Sequence, residues 1–161
     1  MSVILYRVDE RLIHGQVMVG WGARLRPDRI VVVDDELASS QWEQELYSMG
    51  VPDEMEAEFV PVDEAIERLP DWQSNPERVM LLTRDIATMR RTARSGLLHG
   101  QRVNIGGIHH APGRTRVLRY VFLSEAEREE LRELSSEGVR ITARDLPGAR
   151  EVPLEELVRA S

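Results

Sequence analysis

The sequence predicts an α/β fold: a single-domain, three-layer α/β/α arrangement over residues 1–161, with a central, mainly parallel sheet of about six or seven strands. Three observations carry this expectation. Short apolar runs (Val3–Val8, Ile30–Val33, Val79–Leu82) alternate with segments of helical periodicity, the pattern of successive βαβ units. The run Ile30–Val33 (IVVV) is apolar at every position, as in a strand buried on both faces. The length of 161 residues, with 42% hydrophobic and 30% charged side chains, suits one self-sufficient core and no disordered tract.

Val3–Val8 (VILYRV) is the first strand. Ile13–Leu25 carries apolar residues at Ile13, Val17, Met18, Trp21 and Leu25, a helical spacing that Pro27–Asp28 ends. After the IVVV strand, Ser39–Met49 reads as a helix with Trp42, Leu46 and Met49 on one face, stopped by Gly50 and Pro52. Glu58–Val62 is a weaker strand, followed by a short helix Val62–Leu69 with Asp63 as its N-cap and a loop at Asp71–Pro76. Val79–Leu82 is a strand and Ile86–Leu97 a helix closed near Gly96. Val103–Ile105 is a strand ending in Gly106–Gly107, His109–Gly113 a loop, and Arg116–Leu123 (RVLRYVFL) one strand. Ser124, with Glu127 three residues on, is a capping box for a helix that runs to Ser136 and stops at Gly138. Val139–Ala143 is the last strand, Pro147–Gly148 a turn and Leu154–Val158 a short terminal helix.

Composition narrows the function. Lys+Arg number 21 against 28 Asp+Glu, a net charge of −7, which argues against sequence-independent nucleic-acid binding and against docking on anionic lipid. The absence of cysteine removes disulfides, cysteine nucleophiles and thiolate metal sites. No lysine is present either, a usage that codon bias in a GC-rich genome explains. It excludes the phosphate-reaching lysine of a P-loop and a Schiff-base amine. No GxGxxG follows the first strand, so a dinucleotide cofactor is not expected. With no apolar run of about 18 residues and no signal-peptide pattern in MSVILYRVDER, a cytoplasmic location is expected.

In an open α/β sheet, ligands sit beyond the carboxyl ends of the strands. The richest such exit is the first, which sets His14 beside Asp9, Glu10, Arg7 and Arg11. A neutral imidazole at His14 can attack phosphorus, the planar fork of Arg11 matches phosphate oxygens, and Asp9 can hold the second ring nitrogen. Amides of Gly15, Gln16 and Val17 at the helix start add donors. No Ser, Thr or Cys follows as a nucleophile, so a hydrolase triad does not fit. The alternative is a capping or surface histidine beside a solvated Asp-Glu-Arg loop. At the second exit, Gly106–Gly107 after Asn104 form either an anion-binding nest or a tight turn. His109 and His110 are adjacent, a spacing wrong for two ligands of one metal. Asp34–Asp35–Glu36 either binds Mg²⁺ or caps the next helix.

The segment RVDERLIHGQV at Arg7–Val17 closely resembles the active-site pattern R-[IV]-D-[DE]-R-L-[IL]-H-G-Q-V of the enzyme IIB components of the mannose/fructose/sorbose family of bacterial sugar phosphotransferase systems. The resemblance continues through Arg29–Ala38, Arg78–Arg84, Val103–Leu118 and Leu123–Pro147. It implies a central, mainly parallel sheet between helix layers. It also implies that His14 accepts a phosphoryl group, at Nδ1, from a phosphorylated IIA protein and passes it to a sugar bound by the membrane subunits IIC and IID. Arg11 maps onto the phosphate-binding arginine, Asp9 onto the neighbouring acid, Asn104, Gly106 and Gly107 onto the adjoining loop, and Thr83 onto a further strand exit. No metal or organic cofactor is implied. The chain starts directly at the IIB motif, so the IIA donor is expected to be a separate protein. The stretch Ile108–Arg116, IHHAPGRTR, departs from the Met- or Phe-containing version of many members.

Overall fold

The apolar runs pair side by side. In a computed structural model, which describes residues 3–15 and 17–159, seven strands form one sheet. They are β1 (Val3–Val8), β2 (Arg29–Val33), β3 (Glu56–Val60), β4 (Val79–Thr83), β5 (Arg102–Ile105), β8 (Arg140–Ala143) and β9 (Val152–Pro153), in the order β3-β2-β4-β1-β5-β8-β9. The pairs from β3 across to β8 are parallel, and the two-residue β9 closes the edge antiparallel to β8. This is the expected mainly parallel α/β architecture.

Helices cover both faces. On one side, α1 (Val17–Gly22, wound as a π-helix and continuing α-helically through Ala23–Leu25) and α2 (Asp35–Ala38) pack Val17, Met18, Trp21 and Leu37 onto Ile30, Val32, Met80 and Leu82. On the other, α4 (Val62–Ser74), α5 (Ile86–Ala93), α6 (Glu125–Ser136) and α7 (Leu154–Val158) bury Leu69, Trp72, Met89, Leu131 and Leu157 against the alternate residues of the strands. Among the described residues no helix is long and apolar enough to cross a membrane.

Four expectations are corrected. Arg116–Leu123 is not one strand but a hairpin, β6 (Thr115–Leu118) and β7 (Val121–Leu123), forming its own two-stranded sheet. The reversal at Arg119–Tyr120 leaves Arg116 and Arg119 exposed while Val121 and Leu123 are fully buried, which a straight strand would not allow. The helix expected over Ser39–Met49 is present as α3 (Gln41–Ser48), and the separate short helix α2 precedes it, capped by Asp34, which accepts from the Leu37 amide at 2.9 Å. Trp42, Leu46 and Met49 face solvent. The helix from Val62 runs on through Pro70 to Ser74, so the expected loop at Asp71 begins later. Burial of Trp72, and hydrogen bonds from Gln73 Nε2 to the Tyr6 hydroxyl and the Leu97 carbonyl, outweigh the proline. Asp63 lies in the first turn of α4, where a carboxylate complements the helix dipole, and Pro61 takes the cap position. Helix α5 ends at Ala93, four residues short of Leu97, before Gly96 at φ +80°.

The capping box is present: the Glu127 amide donates to Ser124 Oγ and the Ser124 amide to Glu127 Oε1. Gly138, at φ +87°, ends the helix as expected. Ser124→Ala is expected to cost about 1 kcal/mol of stability, read as a shift in the urea midpoint at unchanged slope.

Candidate active site

Connections leaving β1 and β5 run in opposite directions, since β1 leads to β2 on one side and β5 towards β8 on the other. The crevice between their carboxyl ends is therefore the switch point of the sheet. Arg7 pairs in register with Asn104, and Val8 with Ile105, immediately below it.

Arg7 is an arginine within an otherwise largely apolar strand, and it is fully buried. Its guanidinium donates to Asn104 Oδ1, to the Arg144 carbonyl at 2.9 Å, to Asp9 Oδ2 at 3.0 Å and to the Asp145 carbonyl at 3.1 Å. It also lies over the Trp21 ring, 5.0 Å from the centroid. Asp9, equally buried, receives Arg11 from the other side. Oδ1 accepts from the Arg11 amide (3.0 Å) and Nε (2.9 Å), and Oδ2 from Nη2 (2.9 Å). Burial alone would raise the Asp9 pKa, but the Arg11 hydrogen bonds and the Arg7 charge outweigh it and hold the carboxyl below its ordinary value. One buried carboxylate thus sits between two guanidiniums and orients both.

The loop reverses at Leu12, whose amide donates to the Asp9 carbonyl at 3.0 Å. Leu12 has φ +53°, a left-handed conformation rare for a branched side chain, and it is held by complete burial in the α1-side core. This turn presents His14 at the head of α1. The ring is half-buried, with Nε2 buried and 3.9 Å from Asp9 Oδ1, an ion-pair distance beyond hydrogen-bond length. Burial, then the Arg11 charge, push the His14 pKa down despite Asp9, which favours the neutral ring.

The other expected residues separate by role. Gly15 is exposed, and a Cβ there would meet open space, so the helix head is accessible beside His14. Val17 is buried beneath it, and Gln16 lies outside the described residues. Asn104 directs its side-chain oxygen to Arg7. The Gly106 amide donates to the Val8 carbonyl at 2.7 Å, so it is not an open nest donor. The physical need at Gly106 is space: a Cβ would run into the Arg7 guanidinium and stand 2.6 Å from Asp9 Oδ2. At Gly107 it would stand 2.9 Å from Arg11 Nε. Thr83 is buried, its hydroxyl donating to the Asp85 carbonyl (3.0 Å) while its own carbonyl accepts the Asp9 amide (3.0 Å). It positions the loop through the backbone. Asp34 is a helix cap, and Asp35 accepts from the Val62 amide and Arg91, so this cluster serves structure.

Arg114, Arg119 and Asp145 lie around the site without being among the sequence-derived candidates, and Arg114 gives Glu10 and His109 a partner. Arg114 bridges Glu10 Oε2 (2.9 Å) and both oxygens of Glu127 (2.9 and 2.8 Å), tying the His109–Gly113 loop to the first exit and to the head of α6. Glu10 also accepts the His109 amide. His110 stands edge-on to Phe122, with ring centroids 5.6 Å apart. Arg119, from the hairpin turn, reaches Asp145 Oδ2 at 3.0 Å, and the other Asp145 oxygen is 3.7 Å from Arg11. The sequence signals were the arginine inside β1 and the acid at the β8 exit; the partner of each is set by pairing across distant strands.

Residues 3–161 match the family model described as the sorbose-subfamily IIB component of the phosphotransferase system. The chain belongs to this family. That family comprises the IIB components of sugar phosphotransferase systems. This IIB chain is 30% identical over 144 residues to the sorbose-specific EIIB component of Lacticaseibacillus casei, covering 89% of this chain and 87% of that protein. It is also 30% identical over 158 residues to the mannose-specific EIIAB component of Escherichia coli strain K12, covering 98% of this chain and 49% of that one. The IIB chain therefore spans about half the length of that relative. The crystal structure of the IIBSor domain of the sorbose permease from Klebsiella pneumoniae superimposes with a TM-score of 0.89 at 26% identity, covering 100% and 99% of the two chains.

Two variants test the network. Asp9→Asn leaves Arg7 buried without its counter-charge and is expected to destabilise the fold by about 3–5 kcal/mol, measured by chemical denaturation. Gly106→Ala is expected to cost at least about 1–3 kcal/mol through overpacking against Arg7 and Asp9, read the same way.

Proposed function

We propose that His14 of this IIB chain takes a phosphoryl group from a phosphorylated IIA protein and delivers it to a sugar carried by the membrane subunits IIC and IID. In this reading residues 1–161 act as one IIB domain on the cytoplasmic side of the membrane. The observation that carries it is a neutral, half-buried imidazole fixed beside Arg11 at an open helix head. Because Nε2 is buried towards Asp9, we assign the attack to Nδ1. Its lone pair forms the N–P bond as the bond to the donor breaks, and those electrons return to the donor. In the second step a sugar hydroxyl attacks phosphorus, its proton passing to water, while the N–P bonding electrons return to Nδ1 and His14 leaves as neutral imidazole.

Such a transfer is mainly a matter of positioning and charge. Arg11 supplies fixed positive charge next to the phosphoryl oxygens, and Asp9 fixes Arg11. The Gly15, Gln16 and Val17 amides are the proposed backbone donors, with Gly107 opposite. Asn104, Gly106 and Thr83 act one step back, on Arg7 and Asp9.

Incubation with phosphorylated IIA followed by intact-mass spectrometry is expected to give an acid-labile phosphate adduct on the wild type and none on His14→Ala. Arg11→Ala is expected to slow transfer by roughly 10²–10³-fold. A label persisting on His14→Ala overturns the assignment. The depressed His14 pKa sets the pH profile. Acceptance stays flat from alkaline pH down to about 6.5 and falls only below it, as the ring takes up its proton. A midpoint above the ordinary histidine value contradicts this. The unfolded chain protonates first, so stability also declines as pH drops below that value.

A further inference from the structure

Helices α1 and α2 cover their face of the sheet over β2 and β4, and no residue of β5 or β8 belongs to the core they form. The uncovered half is a cleft of about 380 Å³ over β1, β5 and β8. That is within the size range of small-molecule sites. It runs along the strands towards their amino ends, and His14 does not line it. Strand alternation explains its chemistry. In β5 and β8, Val103, Ile105, Ile141 and Ala143 face the opposite core, so Arg102, Asn104, Arg140 and Thr142 face the cleft.

Three guanidiniums line it, Arg102, Arg140 and Arg144, against one carboxylate, Glu151. Arg144 and Arg102 share the same Glu151 oxygen, at 2.8 and 3.6 Å, while among the described residues Arg140 makes no ion pair. The balance is two positive charges in excess, on a protein of net charge −7. Thr142 is only 8% exposed, yet its hydroxyl has no hydrogen-bond partner among the described residues, and neither has Arg144 Nε. Buried polar atoms of this kind are ordinarily satisfied. The lining also includes the apolar side chains of Leu5, Trp21 and Leu25.

We propose that this cleft is a second ligand site, distinct from the phosphoryl-transfer site, for a small organic phosphate monoester. A dianion matches the two excess charges, and planar guanidinium forks suit phosphate oxygens. The Thr142 hydroxyl donates to a further oxygen, and the organic body lies against Leu25 and Trp21. The cleft meets the active-site network at Asn104 and Arg144, both of which hold Arg7.

Phenyl phosphate is the probe, followed by amide chemical shifts of the ¹⁵N-labelled full chain. The expected result is saturable shifts at Gln101, Arg102 and Thr142 that persist in His14→Ala. Arg140→Glu, at an exposed residue with no ion pair among the described residues, is expected to weaken binding at least tenfold. Thr142→Val is expected to weaken it by a smaller factor, with the fold of both variants checked by their spectra. Phenol is expected to leave these amides unmoved. The proposal is overturned if no shifts arise at millimolar probe or if phenol binds as well as its phosphate. It is overturned equally if the shifts centre on Gly15 and vanish in His14→Ala, which would place the anion at the phosphoryl-transfer site.

Discussion

A single buried carboxylate organises the site. Asp9 has no solvent exposure, and its two oxygens are taken up by Arg7 beneath and Arg11 above. Neither Asp9 nor Arg7 could be buried alone, because desolvating one unpaired charge costs several kcal/mol. Together they are stable only in one geometry, in which the guanidinium of Arg7 also meets Asn104 and the carbonyls of Arg144 and Asp145. That geometry links the exits of β1, β5 and β8. It leaves Arg11 with a fixed orientation next to His14, and catalysis by charge depends on such preorganisation.

The glycines follow from the same constraint. The β5 exit must pass over the Arg7–Asp9 pair with no Cβ to spare, and Gly106 and Gly107 are where it does so. Their absence of a side chain matters more than their conformational freedom, since neither has a positive φ. Leu12 shows the complementary economy: its left-handed backbone is tolerated because its side chain is locked in the core, and the tight reversal lifts His14 to the helix head.

The two halves of the α1-side face differ for a physical reason. Over β2 and β4 the outward positions are Ile30, Val32, Met80 and Leu82, and helices must cover them. Over β5 and β8 they are the polar Arg102, Asn104, Arg140 and Thr142, which line a cleft that no helix among the described residues covers. The hairpin β6–β7 adds to the rim of the candidate site by delivering Arg119 to Asp145, and Arg114 clips the neighbouring loop to Glu10 and Glu127.

Local chemistry alone determined the fold class, most strand positions, the capping box at Ser124 and Glu127, the stop at Gly138, and the concentration of reactive groups at Arg7–Val17. These rest on near neighbours in the chain: periodicity, caps and turn residues. What the tertiary structure decided is everything that requires a distant partner. The reversal inside Arg116–Leu123 depends on which side chains the core can accept. The continuation of α4 through Pro70 depends on Trp72 finding a buried place. The role of Arg7 as a brace depends on Asn104 and Arg144, which arrive beside it only when β5 and β8 join the sheet. Likewise, the purpose of Gly106 is visible only once Arg7 and Asp9 occupy the space its side chain would fill. A sequence states which groups are available within a few residues; close packing between strands decides which of them meet.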